Sequence, residues 1–245
     1  MIDSPLAVPV GSAALRDGFV VLTIAIGAAF AAGVRASAVR SGMPVARATR
    51  QGLFAALLSA AWIGATGVAA HRGVLHFSPP PTMLVAIVVS LALAIGLALS
   101  PVGGRFARSL PLTALVGFQG FRILVELLLH RAYEEGLMPV QMSYTGRNFD
   151  IVTGITAVAL GAWLATGRRS PRLVAAWNIL GLLLLANVLV IAMLSAPTPL
   201  RVFMNEPSNV WITHAPWVWL PSVMVVAAVF GHVVVFRALV VRTNT

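Results

Sequence analysis

The sequence contains no cysteine and no lysine, and only seven of its 245 residues are acidic. Without cysteine there is no disulfide, no thiolate metal site and no cysteine nucleophile. Without lysine there is no amine to form a retinal Schiff base, so a seven-helix count does not make a retinal protein. Charge of both signs together amounts to 10% of residues, against roughly a quarter in soluble domains. The stretch from Met1 to Leu15 lacks both a basic n-region and an apolar h-region, so no cleaved signal peptide is expected there.

Apolar side chains are what the chain has in excess, at 59% of residues with a mean hydropathy of +0.92. Several runs approach the ~20 helical residues needed to cross about 30 Å of hydrocarbon. The composition predicts an all-α, polytopic transmembrane helical bundle, a single domain over residues 1–245. About seven spans are predicted, near 18–34, 52–70, 83–99, 110–133, 151–165, 173–195 and 216–239. Pro101-Val-Gly-Gly104 reads as the end of the third.

All 17 basic residues are arginine, which fits codon bias in a GC-rich genome. Eleven fall after predicted spans one, three, five and seven, and five on the opposite side (Arg16, Arg72, Arg131, Arg147 and Arg201). The positive-inside rule then places the N-terminus outside and the C-terminus in the cytoplasm. Topology accounts for the basic charge, so no nucleic-acid partner is expected; membrane lipid is. Trp211, Trp217 and Trp219 are expected at the outer interface. In span two, Gly52, Ala56, Ala60 and Gly64 form a small-residue ridge suited to close helix packing, within this chain, in a homo-oligomer or against a partner subunit.

Span four is the exception to the apolar rule. At 100° per residue Gln119, Arg122, Glu126, His130 and Tyr133 lie within about 80° of one another, with Leu124 and Leu128 opposite. Arg122 lies roughly 18 Å into that helix and Glu126 roughly 6 Å further. A lone charge at such depth costs at least about 2.5–3.5 kcal/mol, and i, i+4 spacing allows the two to pair. The thread reads either as a structural ion pair or as a polar cavity or ion path. In the second reading Arg122 neutralises an anionic group or holds Glu126 ionised, Glu126 carries a proton or cation, and His130 relays it outward. Asn148 and Asp150 stand where the fifth helix begins, suited to capping, with one of them free to face the outer mouth beside Arg147. Asn178 and Asn187 point to opposite faces of span six, so one can join the thread and the other bridge helices.

His71, His76, His130, Glu134 and His214 fall on the predicted outer side and define a second reading, a metal or haem site. No metal-binding motif organises them, and no cofactor is predicted. His232 has no second histidine on its side. Phe121-Arg122-x-x-Val125-Glu126, Gly146-Arg147-Asn148-Phe149-Asp150-Ile151, Trp177-Asn178 and Ala196-Pro-Thr-Pro199 together resemble an uncharacterised family of bacterial multi-pass membrane proteins. The resemblance runs from span four onward and implies a bacterial cytoplasmic membrane location without implying an activity. The expected function is binding or translocation of a small solute, ion or proton at Gln119, Arg122, Glu126, His130, Asn148, Asp150 and Asn178. The alternatives are a membrane redox protein using the outer histidines and a non-catalytic scaffold. No Ser-His-Asp spacing or phosphate-cradling glycine loop points to an enzyme.

Overall fold

The computed structural model describes residues 10–243; the first nine residues of the Met1–Leu15 stretch lie outside them. Six helical segments are long and apolar enough to cross a membrane, and a seventh apolar helix, Ile151–Ala165, is shorter. α1 (Ala13–Arg40) opens on Ser12, whose hydroxyl accepts from the Leu15 N–H at 3.2 Å. Glu135 grips the same cap from across the bundle, accepting from the Ser12 N–H at 2.7 Å and its hydroxyl at 2.6 Å. Gly42 turns the chain in the left-handed region (φ 84°), and α2 (Val45–His71) returns antiparallel to α1. α3 (Thr82–Leu99) follows the Ser78–Pro81 break.

Pro101 does not simply end a helix. It occupies the first turn of a new one, α4 (Pro101–Ser109), which Ser100 caps through the Val102 N–H at 3.1 Å. A proline there forfeits no helical hydrogen bond. A Cβ on Gly103 would lie 2.0 Å from the Ala98 carbonyl oxygen, so the fold-back from α3 requires glycine. The fourth predicted span is also not one uninterrupted helix. α5 (Leu112–Gly117) passes through a tight 3₁₀ turn at Phe118–Gly120 into α6 (Phe121–Glu134).

α7 spans Ile151–Ala165 as expected from the sequence, and α8 (Pro171–Leu194) opens on a Ser170 cap. The last span begins later than Pro216, with a π turn at Leu220–Met224 that contains Pro221 and leads into α9 (Val225–Thr243). Its membrane-length window is 67% buried against 11% for α2, which makes it the axis of the bundle. α3, α4, α5 and α8 pack on it, whereas α2 leans mainly on α1. Of the small-residue ridge, Gly52 packs against Ala31 and Arg35, while Ala60 and Gly64 are exposed.

The loops on the α1 N-terminal side fold into a packed cap. Trp211 and Trp217 are fully buried there, edge-on to Phe19 at 5.9 and 5.0 Å; only Trp219 of the three tryptophans is half-exposed. Their rings fill a core instead of facing lipid headgroups, because the 195–219 loop folds inward on Phe19.

Candidate functional site

Three glycine contacts set the register that builds the site. Gly154 touches Ile123 and Arg122, Gly120 touches Val158, and Gly161 touches Gly117. α7 therefore runs antiparallel to α5 and α6, with its first residue level with the Arg122–Glu126 turn. Arg122 is the eleventh residue of the 23-residue segment Leu112–Glu134. The chain between Glu134 and Ile151 thus descends as turns and a 3₁₀ turn (Val140–Met142) to mid-segment depth. Irregular backbone at such depth is tolerated only where protein satisfies its polar groups. Here Asn187 of α8 donates to the Arg147 carbonyl at 2.8 Å, and Gln141 donates to the Ser195 hydroxyl at 2.8 Å. Gly146 is required at the turn, since a Cβ would meet the Val140 carbonyl oxygen at 2.1 Å.

This descent brings Asp150 and Asn148 to the two charges of α6. Arg122 and Glu126 do not take each other as hydrogen-bonded partners. Arg122 forms a two-pronged ion pair with Asp150, Nε to Oδ2 at 2.6 Å and Nη2 to Oδ1. Nη1 reaches His232 Nε2 at 2.8 Å, and both terminal nitrogens point at the Gly181 carbonyl at 3.5 Å. All five guanidinium donors are accounted for. Because arginine only donates, His232 Nε2 is the acceptor and its proton resides on Nδ1, which donates to Asn178 Oδ1 at 2.7 Å. Asn178 returns a bond from Nδ2 to the His232 carbonyl at 3.0 Å. Arg122, Asp150, Asn178 and His232 are all at most 5% exposed.

Glu126 is 1% exposed and has one neutral donor, Asn148 Nδ2, at 2.9 and 2.8 Å from its two oxygens. The same nitrogen holds the Met142 carbonyl at 3.0 Å, and Asn148 Oδ1 accepts from the Asp150 N–H at 3.0 Å. Asn148 therefore fixes the entry to α7, so of the two residues expected to cap, it is the one whose side chain holds a backbone amide. The Asp150 carboxylate caps no backbone group and is spent on Arg122 and the Thr153 hydroxyl, at 3.2 Å. Neither side chain is left to face an outer mouth beside Arg147.

A cavity of about 270 Å³ lies between α3, α6, α8 and α9. Its walls are apolar, among them Phe121, Val125, Leu185, Leu189 and Met224, and Arg122, Glu126, Asp150 and Asn209 are its polar members. Asn209 is buried and its Oδ1 has no hydrogen-bond partner. The cavity thus presents two oxygen acceptors with unused capacity, Glu126 and Asn209, and one cation whose donors are already committed.

The remaining expected residues lie elsewhere. Gln119 is buried against α9, donating to the Ala228 carbonyl at 2.9 Å, with its Oε1 unpartnered. His130 is a turn nearer the loop cap, hydrogen-bonded to Ser143 at 3.0 Å and stacked on Tyr144 at 4.4 Å, without a hydrogen bond to Glu126. Of the histidine and carboxylate set, His130 and Glu134 approach at 3.7 Å. His71 is exposed, His76 binds the Ser78 carbonyl and His214 binds Thr213. Among the described residues no three His, Asp or Glu side chains gather as a metal-binding group. His232 and Thr153 are the members that sequence reasoning missed. The available signal was an ionisable residue in the interior of an apolar segment, which points to a functional or structural partner by itself.

Fold and cluster together define a helical membrane protein built around a buried ionic network. The chain belongs to the family described as a domain of unknown function (DUF8737), whose model matches residues 79–240. The match begins further toward the N-terminus than span four, takes in the whole cluster, and leaves out α1 and α2. No curated protein and no solved structure matches the chain.

Proposed function

We propose that this is a seven-pass, single-domain protein of a bacterial cytoplasmic membrane that binds a small, largely apolar solute through a cationic group at Glu126, exchanging it for a proton. α7 is the seventh pass, shortened because the 135–150 segment descends to meet it, and the arginine-rich end faces the cytoplasm. The observation that carries the reading is the imbalance of the cluster. Arg122 is saturated by Asp150, His232 and Gly181, whereas Glu126 has only an amide donor and lines the cavity. A buried carboxylate without a cation is costly unless it is protonated or meets one. Asn209 Oδ1 supplies a second acceptor for an ammonium donor, and the apolar walls suit a hydrocarbon body.

Phenethylammonium is a suitable probe. Calorimetry on the purified protein in detergent is expected to show saturable binding with release of a proton into weak buffer. Glu126→Gln is expected to weaken binding at least tenfold, about 1.4 kcal/mol, with the fold retained. Equal affinity in the variant, or binding without proton release, would overturn the exchange.

A further inference from the structure

A second and larger concavity, about 1100 Å³, lies on the other side of α9, between the α1–α2 hairpin and the wall made by α3, α4, α5 and α9. It exceeds the ~300–1,000 Å³ usual for small-molecule sites. It is open sideways: Phe54 and Leu58, which line it from α2, are 62% and 55% exposed. Its body is hydrocarbon and aromatic, lined by Phe30, Phe54, Leu58, Leu97 and Phe230 among others.

One end is basic. Arg47, Arg50 and Arg105 line it together with Gln51. Arg105 Nη2 donates to Gln51 Oε1 at 3.2 Å, while its Nε is buried without any acceptor. Among the described residues no carboxylate pairs with these three arginines. The described acidic side chains are Asp17, Glu126, Glu134, Glu135, Asp150 and Glu206, all in the mid-bundle cluster or toward the loop cap. Three guanidinium groups stand at the mouth of an apolar groove, one with an unused buried donor, and none has a carboxylate partner among the described residues.

The complementary ligand carries both properties. An anion without hydrocarbon leaves the groove unfilled, and hydrocarbon without an anion leaves the arginines unmatched. Basic pockets between membrane helices at the cytoplasmic side recognise anionic headgroups, and guanidinium matches phosphate in two-pronged geometry. We infer that the groove is a binding site for a bilayer phospholipid with a net-anionic headgroup, its phosphate between Arg47, Arg50 and Arg105 and its acyl chains along α2 and α9. The site lies between the family-matched segment and the α1–α2 hairpin outside it, so a bound lipid would bridge the two.

The test is native mass spectrometry and thermal unfolding of the full chain in detergent, titrated with phosphatidylglycerol or with phosphatidylcholine of identical chains. The expected result is at least tenfold tighter binding of phosphatidylglycerol, with a higher Tm. Arg47→Gln/Arg50→Gln/Arg105→Gln is expected to abolish the preference. Arg47→Glu/Arg50→Glu, which leaves the Arg105–Gln51 contact intact, is expected to reduce it at least fivefold. Arg168→Gln/Arg169→Gln/Arg172→Gln, at the same end but outside the groove, is expected to keep it. Equal binding of the two lipids, equal loss in that control, a preference that survives either groove variant, or a Tm shift as large with glycerol phosphate alone would each overturn the assignment.

Discussion

Substituting Arg122 is expected to cost more than substituting Asp150, although the two form one ion pair. Arg122→Gln removes the cation from a cluster holding two buried carboxylates, Asp150 at 5% and Glu126 at 1% exposure. Asp150 is left with the Thr153 hydroxyl and Glu126 with the Asn148 amide. Breaking a buried pair typically costs about 3–5 kcal/mol, because the surviving charge is uncompensated. His232 Nε2 loses its donor in the same step, so the upper end, about 5 kcal/mol, is expected. Asp150→Asn leaves Arg122 with His232, the Gly181 carbonyl and Glu126 one helical turn away as a substitute counter-ion. About 2–3 kcal/mol is expected for that change. The double substitution exchanges the pair for two amides and should recover at least half of the Arg122→Gln loss. Equilibrium unfolding in mixed micelles measures all four corners of the cycle. Strict additivity, or an Asp150→Asn cost equal to or above that of Arg122→Gln, would refute the charge accounting.

Three further outcomes follow, two from packing and one from the cap. Gly181→Ala places a Cβ 2.5 Å from His232 Cε1 and 2.8 Å from Thr153 Cγ2. His232 is held on both nitrogens, so about 2–4 kcal/mol of destabilisation is expected. Gly64→Ala meets nothing within 4 Å and should be neutral or stabilising by up to about 1 kcal/mol, as unfolding curves of the two variants will show. Partial burial raises the Glu135 carboxyl, but hydrogen bonds from Ser12 and Arg131 outweigh it and hold the group below its ordinary value. A depressed value stabilises above the unfolded carboxyl, near ~4.3, and that stability is lost as pH falls through the folded value. Glu135→Gln should lower stability by about 1 kcal/mol at neutral pH and flatten this acid-side slope in thermal melts.

Legibility in the sequence followed the range of each signal. Apolar run length located the helices: α7 was bounded to the residue and α3 to within one, because loop-rich and proline-rich stretches flank them. α4 was hidden because Pro101 serves equally as a stop and as a first-turn residue. Periodicity brought Gln119, Arg122 and Glu126 to one face of the fourth span, and all three are buried. It did not reveal their partners. The nearest opposite charge in sequence, four residues away, is not the nearest in space, since α7 starts at mid-depth and carries Asp150 to Arg122. His232 has no second histidine on its side of the bundle, so histidine spacing carries no sign of its role. Its partners are an arginine and an asparagine on two other helices, a pairing that local spacing does not encode.

The cluster's chemistry therefore divides between its two α6 charges. Arg122, with five donors spent on protein acceptors, is a fixed counter-charge that orients Asp150, His232 and, through Gly181, the approach of α8. Glu126 is bound on one side by Asn148 and faces the cavity on the other. With Arg122 and Asp150 cancelling and His232 neutral by its hydrogen-bonding roles, the net charge of the site is the charge of Glu126. A protonated Glu126 leaves a neutral cluster in an apolar wall; an ionised one leaves a single negative charge that an apolar cavity cannot solvate. The proposed exchange thus admits one proton or one monovalent cation at a time. A one-to-one count of protons released per solute bound is the stoichiometry this architecture requires.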